Sequence, residues 1–275
     1  MVIPEWFCRM LELESRRCDI LKEELALRSL SYREVSLADT RHLLVYPAHT
    51  RQDKSKRLKL ITAHYDRVPG TPGALDNSAA LWQLMDFASC PADKENIIIA
   101  FTDKEEISGN AAEQGAFLLG KALSRLGIDA PVIFCLDVTG RGDTLVVADT
   151  VQQVLENFPS LRALQQQVSL CGRILAAAVA ADVRSVSGHL PFGENLGFML
   201  SGLPAIELSL LPEAEANMLR RGSGHSSASA GAGFSVPTWS YLHSAADTAS
   251  LLEPAAFFIM QKVLGRIGLM RFPKH

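Results

Sequence analysis

Three runs of strand length dominate what this chain can become: Arg57-Leu58-Lys59-Leu60-Ile61-Thr62, Asn96-Ile97-Ile98-Ile99-Ala100-Phe101-Thr102 and Val132-Ile133-Phe134-Cys135-Leu136. The last two are apolar from end to end, the pattern of strands covered on both faces. Helical patterns separate them, Ala79 to Met85 after the first and Ala116, Leu118, Leu119, Ala122, Leu123 and Leu126 after the second. Strands alternating with helices of this length predict an α/β layer around a parallel or mixed sheet. Each run empties into ionisable residues: His64-Tyr65-Asp66 after the first, Asp103-Lys104-Glu105-Glu106 after the second and Asp137 after the third. Sites in α/β proteins form there, because strand ends are rigid while the loops beyond them are free to vary.

Elsewhere the pattern predicts an amphipathic helix over residues 5–28, strands over 41–47, 144–148 and 203–209, and helices over 151–168, 172–181 and about 254–269. Asp247, Thr248 and Ser250 are the candidate caps of the last helix. Residues 48–56 read as an exposed hairpin connection, and 182–202 as irregular around Ser187 to Gly193. Residues 222–235 are small and low in complexity, the composition of a flexible loop. No interdomain linker appears, so residues 1–275 are expected to form a single catalytic domain in which 141–242 shape the pocket.

Composition excludes several classes. A net charge of -3, with no basic stripe, does not suit nucleic acid. The longest apolar runs fall far short of the roughly 20 residues needed to span a bilayer. Residues 1–6 lack the basic and apolar regions of a signal peptide, so a cytoplasmic location is expected. The 5 cysteines, Cys8, Cys18, Cys90, Cys135 and Cys171, are scattered without a Cys-x-x-Cys pair, arguing against a disulfide framework or thiolate zinc knuckle. Oligomeric state stays open.

The residues collected at strand ends are His64, Asp66, Asp76, Glu105, Glu106 and Asp137, joined by His243 near the end of the chain. Imidazoles and carboxylates without thiolates suit catalytic zinc, with manganese or cobalt possible by substitution. One metal needs about three such ligands, so this set points to two, with a shared carboxylate between them. A further carboxylate, free of metal, must accept the proton of the attacking water, and the adjacent Glu105 and Glu106 can divide the two tasks. Asp66, two residues after His64, is placed to accept the free imidazole N–H. Any one of these alone would more often be a turn former or cap; their co-occurrence carries the reading. His189 and Tyr241 are candidate substrate contacts, with Trp239 and Phe192 as further wall candidates. His42, His49, His225 and His275 are expected at the surface.

Five segments in order, Ala63-His64-Tyr65-Asp66, Gly73-Ala74-Leu75-Asp76-Asn77-Ser78-Ala79, Glu105-Glu106-Ile107-Ser108-Gly109, Leu136-Asp137 and His243-Ser244-Ala245-Ala246-Asp247-Thr248, resemble the co-catalytic zinc exopeptidase family. That family includes bacterial leucyl aminopeptidase and aminopeptidase S, with glutaminyl cyclases as relatives. The resemblance implies a three-layer sandwich whose central mixed, mostly parallel sheet has about eight strands, flanked by helices. It also implies Asp76 as the bridge between two zinc ions, His64 and Asp137 on one ion, Glu106 and His243 on the other, and Glu105 as general base. A cis peptide is implied after Asp76. One departure stands out: Ser187-Gly188-His189 lies where the family usually reads Ser-Asp-His.

The expected activity is therefore that of a zinc-dependent aminopeptidase on small peptides or amino-acid-derived substrates, with no nucleic-acid or membrane partner. The alternatives are a single-zinc glutaminyl cyclase and a catalytically silent binding domain of the same fold.

Overall fold

A computed structural model describes residues 1–106, 111–149, 163–222 and 236–274. Its centre is an eight-stranded sheet in the order β1 (Ser31–Leu37), β2 (Thr40–Tyr46), β6 (Ile97–Thr102), β4 (Lys59–His64), β7 (Val132–Leu136), β10 (Ala205–Leu211), β8 (Thr144–Ala148) and β9 (Ser185–Gly188). A separate pair of two-residue strands, β3 (Thr50–Arg51) and β5 (Lys94–Glu95), runs parallel. In the large sheet β6–β4, β4–β7, β7–β10 and β8–β9 are parallel while the other neighbours are antiparallel. The expected mixed, mostly parallel sheet between helices is present.

Alternation sorts the central strands onto two cores. Ile97, Ile99, Phe101, Val132, Phe134 and Leu136 face one layer, while Ile98, Ala100, Ile133 and Cys135 face the other. The first layer contains α1 (Glu5–Leu11), α2 (Arg17–Leu27), α3 (Ala79–Ser89), α5 (Ala163–Ala180) and α8 (Pro254–Leu269). Trp82 of α3 locks it together, its ring centroid 5.1 Å from Phe7 and 4.6 Å from Phe257. The second layer is built from α4 (Gly115–Ala122) and α6 (Glu194–Leu200), and α7 (Glu213–Gly222) packs beside β9 and β8. Lys59, buried on β4, donates to the carbonyls of Gly268 and Met270 and so ties the central sheet to the end of α8.

Several expectations change. The single helix over 5–28 is two helices, because the chain leaves helical geometry at Glu12 and Arg67 gathers the carbonyls of Met10, Glu12 and Leu13. Residues 48–56 do not close a hairpin, since β6 lies between β2 and β4. The segment 182–202 is more regular than its composition implied, containing β9 and α6, and β1 joins the edge as an unforeseen strand. Gly172 does not divide α5, and no nearby atom crowds it. The earlier part of the expected 151–168 helix, residues Ile107 to Gly109, and the loop 223–235 lie outside the described residues. Among the described residues no helix is long and apolar enough to cross a membrane.

Candidate metal centre

His64 is the last residue of β4, and Asp137 follows β7 immediately alongside it. Between β4 and α3 the chain turns through Gly70 and Gly73, both at positive φ, and delivers Asp76 back over the strand end. A Cβ on Gly73 would stand 2.6 Å from the Asp76 carbonyl oxygen, so the closeness of the turn requires glycine there as well. The result is that Asp76 Oδ1 lies 3.2 Å from His64 Nε2. The peptide from Asp76 to Asn77 is cis, as the resemblance implied.

Asp76 faces two imidazoles with its two oxygens. His243 Nε2 is 3.1 Å from Asp76 Oδ2 and also 3.1 Å from Glu106 Oε2, while Asp137 Oδ1 lies 3.7 Å from His64 Nε2. All five expected ligands therefore meet in one place, in two groups that share Asp76. His64 Nε2 and Asp137 Oδ1 are buried without a hydrogen-bond partner. Unpaired buried nitrogen and oxygen atoms that converge in this way fit a cation held by nitrogen and oxygen ligands.

The electrostatics agree. Burial alone would depress His64, but Asp137, Asp66 and Asp76 raise it well above the ordinary histidine value. Asp76 is raised by burial and yet held well below the carboxylate range by the His243 and His64 rings. Burial and then Asp76 push Glu106 up to about 7, and hydrogen bonding to Asp76 lifts His243 to about 9. Glu105 is raised well above its usual value, chiefly by burial. Crowded acids and protonated imidazoles are what a ligand shell looks like when its compensating charge is a metal.

A supporting set holds these groups. Asp247 accepts from the backbone N–H groups of Leu75 at 2.7 Å and Asp76 at 3.1 Å, fixing the segment that carries the shared carboxylate. It does not cap α8, whose N-cap position is Glu253. Asn77 Nδ2 donates to the Leu136 carbonyl at 2.7 Å, tying the Asp76 loop to the strand end beside Asp137. Asp66 meets His64 Nδ1 through its backbone carbonyl at 3.3 Å, not the expected carboxylate, whose Oδ1 lies 3.5 Å away and unpaired, while Oδ2 accepts the Glu106 N–H at 2.9 Å. Arg17, buried on α2, donates to the Asp66 carbonyl and to Ser78 Oγ, so the N-terminal helices serve the site as well as the core.

Asp76, Glu106, Asp137 and His243 open onto a cavity of about 310 Å³ walled by Leu190, Phe192, Trp239 and Leu242, with Glu105 beside Gly193. The segment 141–242 supplies most of that wall. His189 and Tyr241 do not line the cavity: His189 Nδ1 sits 3.8 Å from Asp149, and Tyr241 packs against the Arg141 guanidinium at 5.5 Å. His42 is buried on β2, contrary to its expected place at the surface; it contacts Thr40 Oγ1 at 2.9 Å and accepts from the Asp103 N–H at 3.3 Å.

Two buried acids escaped the sequence reading. Glu194, in the first turn of α6, accepts from Thr62 Oγ1 at 2.8 Å and is raised by burial to about 7. Glu207 lies within β10 and lines the cavity. The available signal was a charge inside an apolar strand, Ala205-Ile206-Glu207-Leu208.

Residues 45–267 match the profile of Peptidase family M28. The chain belongs to that family. No curated protein matches this M28 chain in sequence. In fold it is similar to a leucine aminopeptidase precursor from Bacteroides thetaiotaomicron, 15% identical with a TM-score of 0.65 over 96% of this chain and 95% of that one. It is also similar to the LapA aminopeptidase of Legionella pneumophila, 14% identical with a TM-score of 0.65 over 98% and 71%, and to the glutaminyl cyclase of Porphyromonas gingivalis, 15% identical with a TM-score of 0.61 over 95% and 93%. At these identities the likeness concerns the fold, and the site of this M28 member rests on its own residues.

Proposed function

We propose that this M28 chain is a zinc-dependent aminopeptidase acting on small peptides. The observation that carries the reading is the position of Asp76, whose two oxygens face His64 and His243 separately. His64 and Asp137 would hold one zinc ion and His243 and Glu106 a second, with Asp76 shared. When bound, such ions polarise a scissile carbonyl and acidify a water molecule.

The remaining work belongs to the protein. Glu105 lines the cavity without belonging to either ligand group, and a carboxylate kept basic by burial is suited to accept the proton of the attacking water and pass it to the leaving amine. Gln114 Nε2, 3.4 Å from Glu105 Oε1, holds that carboxylate toward the cavity. Asp66 fixes the backbone at Glu106 and orients His64. The apolar wall excludes water around the reacting groups and receives a side chain.

The test is hydrolysis of amino-acid nitroanilides by the zinc-loaded protein, after chelation, and after zinc is restored, with bound zinc counted by elemental analysis. Activity that follows zinc, with two ions per chain, is expected. Equal turnover by the metal-free protein would sink the reading, and one ion per chain with cyclisation of N-terminal glutamine would replace it with the glutaminyl cyclase alternative. Glu105→Gln should lose at least about a hundredfold in kcat while keeping its zinc; loss of zinc instead would exchange the two glutamates.

A further inference from the structure

Resting on the exopeptidase reading, we propose that Glu207 sets substrate specificity: its carboxylate, in the cavity wall, takes the cationic end of an N-terminal lysine or arginine side chain. Along β10 the residues Ile206, Leu208 and Leu210 face one core, and Ala205 faces the other. Glu207 shares the second face with Ala205, where an uninterrupted apolar pattern would place a hydrocarbon side chain. It is only 3% exposed, yet it lines the same cavity as Glu105, Asp137 and His243.

Its Oε2 atom is buried and has no hydrogen-bond partner. A buried carboxylate oxygen left unpaired is costly, and such groups in native proteins call for a partner. Among the described residues lining the cavity none is lysine or arginine, and the imidazole of His243 is taken by Asp76 and Glu106; the charges of Asp137, Glu105 and Glu194 act on Glu207, with the Gly193 N–H acting against them. Burial and these acids raise its carboxyl well above the ordinary range, the state that an arriving cation would reverse. The missing partner must then come with the ligand.

Gly193 packs its backbone against the carboxylate. A Cβ there would stand 2.6 Å from Glu207 Oε2 and 3.7 Å from Glu105 Oε1. Any side chain there would therefore displace the Glu207 carboxylate. Leu190, Phe192, Trp239 and Leu242 offer hydrocarbon and ring surface to the stem of a long basic side chain, which packs its methylenes while its charged head is paired. Hydrocarbon walls and a buried acid in one cavity select a side chain that is apolar along its length and cationic at its tip.

The experiment compares lysine p-nitroanilide with norleucine p-nitroanilide, which keeps the aliphatic stem and lacks the charge. Zinc-loaded wild type should favour lysine in kcat/KM by at least about tenfold, and Glu207→Gln should bring that ratio close to one through the KM for lysine. Gly193→Ala should shift the ratio in the same direction. Calorimetric titration with free L-lysine and L-norleucine reads the same discrimination without turnover. Hydrolysis of both substrates with no preference for lysine would overturn the proposal while leaving the exopeptidase reading intact. An equal loss on both substrates in Glu207→Gln would overturn it too, marking Glu207 as a structural acid or an anchor for the α-ammonium group. If neither substrate is hydrolysed but lysine still binds more tightly than norleucine, the cationic site stands and the reaction class falls.

Discussion

Asp247 is the residue whose removal should separate stability from activity. It is fully buried and its two carboxylate oxygens receive the N–H groups of Leu75 and Asp76. Truncation in Asp247→Ala leaves two buried donors unsatisfied, each costing about 1–3 kcal/mol, so a loss of about 2–6 kcal/mol is expected in urea unfolding at pH 4. Asp247→Asn should behave differently. Burial, then the charge of Asp76, raise the Asp247 carboxyl from 3.8 to about 6 despite those hydrogen bonds. A carboxyl whose value is higher in the folded state leaves the fold unpenalised below about pH 4 and destabilises it as the pH rises through about 6, by about 3 kcal/mol at roughly 1.4 kcal/mol per pH unit. Asparagine removes that penalty and loses one of the two acceptor contacts, so at pH 7.5 it should match wild type within about 2 kcal/mol. Relative to wild type it should gain about 3 kcal/mol between pH 4 and pH 7.5. Activity should not follow: with the segment carrying Asp76 held by one bond instead of two, kcat/KM should fall by about tenfold or more. Urea curves of metal-free wild type and both variants across this pH range, alongside nitroanilide kinetics after zinc loading, make the comparison. A difference between wild type and Asp247→Asn that does not change with pH, or Asp247→Ala unfolding at the wild-type midpoint at pH 4, would refute the reasoning.

Asp66→Ala should lower zinc affinity by about 10- to 100-fold, measured by competition with a chromogenic chelator, because Glu106 loses its backbone anchor and His64 the carboxylate near Nδ1. Zinc at about 100 times its dissociation constant should stabilise the metal-free protein by about 2.7 kcal/mol, which for a chain of 275 residues raises Tm by about 5 °C. Asp76→Ala should abolish that rise. Burial lowers His42 from 6.5 to about 4, so its contribution is intact above about pH 6.5 and lost as the pH falls toward 4, at about 3 kcal/mol in all. Acid unfolding of His42→Asn against wild type, followed by circular dichroism, should show a shallower fall in the variant; parallel curves would count against a neutral buried imidazole.

The parts legible in the sequence were those in which local pattern and chemistry coincide. Continuous apolar runs required strands covered on both faces, and β6 and β7 lie where those runs placed them. Parallel neighbours bring their C-terminal ends to one edge, so ligands that are dispersed in the chain become adjacent once the sheet forms, and His64 and Asp137 meet across β4 and β7. What escaped notice depended on partners far away in the sequence. Nothing near Asp247 announces that it will receive N–H groups more than 170 residues upstream, and a cap was the reasonable local reading. Nothing near His42 reveals that Asp103 and Thr40 will use both its ring nitrogens.

Glu207 was hidden for a related reason. In a strand it breaks the apolar pattern, and the break has no meaning until β10 is seated against β7, in register with Cys135 and one strand from the metal ligands. Once it is there, position separates two kinds of acid in the same cavity. Asp76, Asp137 and Glu106 have imidazoles within 4 Å, as the proposed ligand shell requires. The charges acting on Glu207 are acidic ones, Asp137, Glu105 and Glu194, and its Oε2 atom has no hydrogen-bond partner. A buried carboxylate oxygen without a partner is a demand on whatever binds, and on the proposal above it puts the choice of substrate in a residue outside the proposed ligand set.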